Sequence, residues 1–225
     1  MNVYAKILLL IFLNFLCYIF AGFWLGLIAS SILIYKILSY FGITRTPKIF
    51  LGHFEEGLSF TKDYFGSYTK HQKEFMEAYQ LIQKFKLKDY IVIAFYYDSP
   101  NSVEENKLRS SIGIYTKNKN SIENITEEFE KYCEENGYNK NQLPNSSSLF
   151  CNWEYFNFVS MIIGVQKFYK LMDKNLKDDN FKKAFRIDES QIKAFIEVYE
   201  FDHNSMSFCV PLVNGDQFML FKKDK

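Results

Sequence analysis

The sequence predicts an α+β protein behind one membrane helix, and three observations carry that prediction. A charge-free apolar run opens the chain. Short segments of strand composition then alternate with stripes of helical period. The order strand, helix, strand, strand occurs twice, as a duplicated βαββ unit would produce.

The apolar run extends from Ile7 to Tyr35, between Lys6 and Lys36. It holds about 29 residues against the ~20 that a bilayer crossing needs. A signal peptide has an apolar stretch of about 7 to 15 residues, so the run reads as a retained transmembrane helix, residues 7–36, after a short N-terminus, residues 1–6. A straight helix of that length measures ~44 Å against a hydrocarbon core of ~30 Å, and tilt or overhang absorbs the excess. A hairpin turning near Gly22 to Gly26 is the competing geometry, with each arm too short to cross. Tyr4, Trp24 and Tyr35 are candidate interfacial anchors. Asn14, the one strongly polar side chain inside the run, reads as a tolerated residue or a helix–helix contact.

Lys36, Arg45 and Lys48 follow the run, whereas Lys6 and the terminal amine precede it. That excess favours a single-pass protein whose soluble part faces the cytosol, because basic residues resist translocation. Cys17 lies in the run, and Cys133, Cys151 and Cys209 sit in apolar segments, so they read as reduced thiols rather than a disulfide framework. Asn124 and Asn145 head glycosylation sequons that matter only if the orientation is the reverse.

Residues 37–50, with Thr46-Pro47, form a short linker, and residues 51–225 suffice for one sizeable core. Lys and Arg number 27 against 26 Asp and Glu, and no basic stripe stands out; a nucleic-acid partner is not expected. Aromatics make up 19% of the chain, a richness that fits genome base bias better than a binding role.

Gly57 to Phe65 alternates as a strand does. Phe75, Tyr79, Ile82 and Phe85 recur at helical spacing. Tyr90 to Tyr97 is a continuous apolar and β-branched run stopped by Asp98-Ser99-Pro100, as expected of a central strand. Ser110 to Tyr115 reads as its neighbour. Ile122, Ile125, Phe129, Tyr132 and Cys133 predict a helix ending at Gly137. In the second half, Ser147 to Tyr155 is a strand, and Phe158, Ile162, Val165, Tyr169 and Met172 form a helical stripe. Ala194 to Phe201 and Met206 to Leu212 close the chain as a hairpin. The first hairpin strand of each half ends in an aromatic and Asp: Tyr97-Asp98 and Phe201-Asp202. Pro211 predicts an edge position for the last strand.

The segment IVIAFYYDSPNSVEENKLRSSIGIY, Ile91 to Tyr115, resembles the testis-expressed ER-phagy receptors, in which an apolar strand runs into a tyrosine pair, Asp, a small or polar residue and Pro. FIEVYEFDHNSMSFCVPLVNGDQF, Phe195 to Phe218, is similar to the closing hairpin of that family. The resemblance implies a GyrI-like domain, related in fold to bacterial multidrug-binding and SOUL-type haem-binding modules. It implies an endoplasmic-reticulum membrane protein acting in reticulophagy, with the lipid bilayer and an autophagy protein or tailed adaptor as partners. The family's disordered docking tail has no counterpart after Phe218. Tyr79 to Ile82 and Phe195 to Val198 have the aromatic-x-x-aliphatic form of its docking motif, but both fall in predicted regular elements. Phe54-Glu55-Glu56 has the acidic company of such a motif but Gly57 where the aliphatic should stand.

Enzymatic chemistry is not expected, a GyrI-like hydrolase being the alternative. His53, His71 and His203 share no ligand spacing with one another or with the cysteines, so no metal, cofactor or catalytic residue is assigned. Glu197 alternates with Ile196 and Val198 and projects to the face opposite them. That face is solvent on a half-covered sheet. By similarity to GyrI-like proteins it is an aromatic groove for a small amphiphilic, cationic ligand, lined by Tyr96, Tyr97, Trp153 and Tyr155, with Glu154 as a second candidate acid.

Overall fold

A computed structural model describes Val3–Glu123 and Ile125–Phe221. The chain divides into two compact units, residues 1–46 with 155–167, and residues 47–154 with 168–225.

In the first unit, helix α1 (Val3–Tyr40) is interrupted at Gly22, whose φ of 78° and ψ of 168° suit glycine alone. The chain folds back there. Asn14 Nδ2 donates to Ser30 Oγ at 3.1 Å across sixteen residues, a separation of ~24 Å along a continuous helix. A Cβ on Gly26 would lie 2.6 Å from the Tyr18 ring, so these two positions also meet, and both pairs centre on Gly22. The apolar run is therefore a helical hairpin, the geometry the sequence placed second to a straight helix over 7–36. Its second arm, Gly22–Tyr40, is long and apolar enough to cross a membrane; Tyr4–Phe20 is a shorter apolar helix. Tyr4, Trp24 and Tyr35 are exposed, and Asn14 makes the helix–helix contact.

The second unit is α+β. Strands β1 (Phe50–Phe54), β2 (Gly57–Phe65), β3 (Ile91–Tyr96), β4 (Arg109–Thr116), β5 (Asn139–Leu143), β6 (Ser146–Glu154), β7 (Phe195–Glu200) and β8 (Ser205–Pro211) form one antiparallel sheet, curled into a half-barrel. Its order is β1-β6-β8-β7-β3-β4-β2-β5. Helix α2 (Gln72–Phe85) contacts β3 and β4, and in the second half Phe168 and Tyr169 of α5 (Phe158–Leu176) reach Phe208 of β8. Shorter helices are α3 (Lys119–Glu123), α4 (Glu127–Glu135) and α6 (Asp179–Phe185).

Both sheet faces are buried, which explains strands that are apolar throughout rather than alternating. On the helix-covered face, Phe168 stacks on Phe208 at 4.2 Å, and Phe60 meets Phe129 of α4 at 4.9 Å. On the other face Ile93, Phe95, Ile196, Val198 and Cys209 form a second core with Phe54 and Phe218. Cys133, Cys151 and Cys209 are buried free thiols, and Cys17 is free and exposed.

Three points differ from expectation. The helix predicted over Ile122 to Gly137 is α3 and α4, because Thr126 leaves the helix and caps α4 by accepting from Phe129 N at 3.2 Å. Asn124, between them, lies outside the described residues; Asn145 is exposed. Strands β1 and β5 were not foreseen: NKNQL has poor strand propensity and is held by pairing to β2. Strand β8 is interior, between β6 and β7. Pro211 is tolerated because the β7 ladder ends at Ile196↔Cys209, so its missing N–H falls beyond the last pair.

Candidate functional site

Strands β7 and β3 pair at the middle of the sheet, with Glu197 opposite Ala94 and Phe195 opposite Tyr96. Period-two alternation sends Glu197, Tyr199 and Tyr96 to the helix-covered face. Tyr169 comes down on them from α5. The carboxylate is 2% exposed and accepts two hydroxyls, Tyr169 at 2.9 Å on Oε1 and Tyr199 at 2.5 Å on Oε2. The Tyr96 hydroxyl interacts with it as well.

Burial raises the pKa of Glu197, and the three hydroxyl donors oppose that rise. No Lys, Arg or His contributes among the described residues. A carboxylate enclosed this way lacks the counter-charge that normally accompanies a buried ion. The tyrosines are pushed well above their ordinary range, first by burial and then by the carboxylate they face.

Tyr199 also lines a pocket of 760 Å³ bounded by Tyr79 and Ile82 of α2, by Lys86 just after that helix, by Tyr90 and Val92, and by Phe201 and His203 after β7. Its ring stacks on Phe201, with centroids 5.8 Å apart, and meets Phe75 edge-on at 5.0 Å. One side chain thus borders the pocket and binds the carboxylate.

Of the residues the sequence proposed, the structure brings Tyr96 to Glu197. The solvent alternative for Glu197 does not hold, since both faces of β7 are covered. Tyr97 lies on the opposite face, donating to Ser111 at 2.9 Å. Trp153 is buried on the helix-covered face, two strands away through Met206. Tyr155 is buried in the other compact unit. Glu154 is exposed. Sequence reading missed Tyr169 and Tyr199. Tyr199 was legible, standing two residues beyond Glu197 on the same face; Tyr169 was visible only as one of a helix's core stripe.

A second polar cluster was also missed. His71 Nε2 lies 2.9 Å from Ser110 Oγ, and Glu74 Oε2 lies 3.7 Å from His71 Nδ1. The order resembles a nucleophile, base and orienter. Ser110, however, is wholly buried and does not border the 410 Å³ pocket that His71 and Glu74 line. No substrate reaches it in this geometry. Burial lowers the His71 pKa, and the group acts as a satisfied core histidine.

No protein-family model and no curated protein matches the chain. Among solved structures, similarity extends to the EcmrR C-terminal domain, at 10% identity and a TM-score of 0.45 over 73% of this chain and 96% of that one. It extends also to SAV2435 bound to tetraphenylphosphonium, at 10% and 0.45 over 74% and 94%. A hydrolase from Listeria innocua matches at 12% and 0.41 over 79% and 97%.

Proposed function

We propose that the chain is a membrane-anchored small-molecule-binding protein of GyrI-like type, whose ligand is an amphiphilic cation neutralised by Glu197. One observation carries this reading: a carboxylate buried among tyrosine rings with no cationic partner among the described residues. Aromatic faces and a desolvated negative charge together favour a bulky, weakly hydrated cation over a metal ion or an ammonium. The ligand gains access through the 760 Å³ pocket when Tyr199 swings off the carboxylate. Binding stabilises the ionised acid, so affinity falls as pH drops through the raised pKa of Glu197.

The binding reading takes precedence over the reticulophagy one. No family model and no curated protein matches the chain to support the latter, and the candidate docking tetrapeptides are held within α2 and β7, where docking by strand addition would require unfolding.

The test is titration of the detergent-solubilised protein with tetraphenylphosphonium at several pH values. Wild type should bind, and Glu197→Gln should bind about tenfold more weakly, ~1 to 2 kcal/mol for a partly desolvated cation contact. Absence of binding by wild type, or equal binding by both, removes the carboxylate from the function.

Anchoring is carried by the hairpin, both arms entering from the side of the soluble unit. On this reading the N-terminus lies on the same side, because a turn at Gly22 returns the chain to its face of origin, whereas the single pass expected from the basic residues puts it on the opposite side. Protease protection in sealed vesicles decides it: an N-terminal tag and the soluble unit should be cleaved from the same side.

A further inference from the structure

We propose that the first turns of α5 lie in the lipid interface, forming a second membrane contact beside the end of α1; this rests on the reading that the hairpin is membrane-embedded. Residues 1–46 and 155–167 belong to one compact unit, and three contacts fix the start of α5 against the end of α1. Tyr40 and Phe156 stack at 5.8 Å with their planes 12° apart. The Arg45 guanidinium sits 5.1 Å from the Phe156 ring centroid. Lys167 Nζ donates to the carbonyls of Gly42, Ile43 and Arg45 at 3.0, 2.6 and 2.5 Å, in the turn that follows α1.

What this anchored segment shows to its surroundings is apolar. Phe156 is 56% exposed, Phe158 62%, Val159 48%, Ile162 38%, and Ile43 beside them 48%. No charged side chain occurs between Glu154 and Lys167. One turn further along α5 the outward positions become Gln166 and Lys170, so a single helix passes from apolar to polar with distance from α1. Amides around its start are also satisfied by neutral side chains. Asn157 Oδ1 accepts from Ser160 N at 2.9 Å, and Ser160 Oγ accepts from Phe156 N at 2.9 Å and Asn157 N at 3.1 Å. An end capped by neutral side chains loses little on leaving water. Continuity with α1 commits the patch to lipid: a helix end fixed where a membrane segment emerges meets the bilayer before it meets another protein. Aromatic and branched residues at that depth are what such a boundary selects.

The experiment uses the full chain in phosphatidylcholine vesicles, with Cys17→Ser and a fluorescent label at one introduced cysteine, the three buried native thiols staying unlabelled. Labels at Phe158→Cys, Val159→Cys and Ile162→Cys should be quenched by a lipid-borne nitroxide and protected from an aqueous quencher. Labels at Gln166→Cys and Lys170→Cys should show the reverse. Leu13→Cys in the hairpin is the control. Lipid quenching at Leu13 with aqueous quenching at 158, 159 and 162 overturns the proposal and leaves the anchor intact. Aqueous quenching at all positions overturns both. Protection of the patch from both quenchers assigns the surface to a second copy or another protein, and overturns lipid as its occupant.

Discussion

The two βαββ halves of the α+β unit share one path and differ in chemistry at the middle of the seam. Their strands, β2-β3-β4 and β6-β7-β8, occupy mirrored places in the sheet order β6-β8-β7-β3-β4-β2, each with a helix after its first strand. The halves meet where β3 pairs with β7, and at the middle of that seam Ala94 of the first half faces Glu197 of the second. The first half contributes apolar filling and Tyr96. The second contributes the carboxylate and two of its three hydroxyl donors. A repeated fold thus sets two equivalent positions side by side, and side-chain choice alone makes one chemical and the other inert.

Restoring symmetry the wrong way should cost most. Ala94→Glu would place a second buried carboxylate beside the first with no cation to offset it, at a cost of about 3–5 kcal/mol. Thermal denaturation at neutral pH should show partial or complete loss of the cooperative transition, with recovery on acidification as the pair takes up a proton. A variant melting like wild type at neutral pH would mean that the seam is far wetter than its burial indicates.

Removing the asymmetry should have a smaller effect, of opposite sign. Glu197→Gln should raise stability at neutral pH by about 1–2 kcal/mol while weakening cation affinity about tenfold, a trade of stability against function. The sign follows from the direction of the shift. A carboxyl raised in the folded state contributes stability fully below its ordinary value of 4.5 and loses it as pH rises through the folded pKa. Wild type and variant should therefore converge below that pH and diverge above it in parallel melting curves. Constant separation across pH would place the ionisation elsewhere.

Smallest is Tyr169→Phe. It deletes one donor contributed by α5 and should cost about 1 kcal/mol. It should also move the ionisation of Glu197 further upward, since that hydroxyl lowers it; carboxyl infrared absorption against pH would record the change. An unmoved titration would leave Tyr199 as the donor that matters.

Much of the fold was legible because its elements carry strong local signals. Gly57–Phe65 reads as β2 without change, and the stripes at Phe75 and Phe158 fall in α2 and α5. What misled was the echo of Tyr97-Asp98 in Phe201-Asp202. Tyr97 belongs to the core on one face, whereas Phe201 stacks on Tyr199 of the other. A symmetry that maps the sheet onto itself cannot exchange its faces, and one residue of register decides which face a side chain takes. The same alternation separates Tyr97 from Glu197 and brings Tyr96 to it.

By itself the sequence determined the apolar N-terminal run, the α+β class, the duplicated order of elements and the side of β7 on which Glu197 stands. Each of these follows from composition and period within a few residues of chain. Only tertiary structure decided that the face is covered, that Tyr169 and Tyr199 close on the carboxylate, that β8 is interior and that the apolar run folds back at Gly22. Those outcomes depend on pairings between residues far apart in the chain, such as Tyr169 with Glu197 and Asn14 with Ser30. No local period encodes them, because burial and hydrogen bonding between distant segments exist only once the whole sheet and both helical arms are in place.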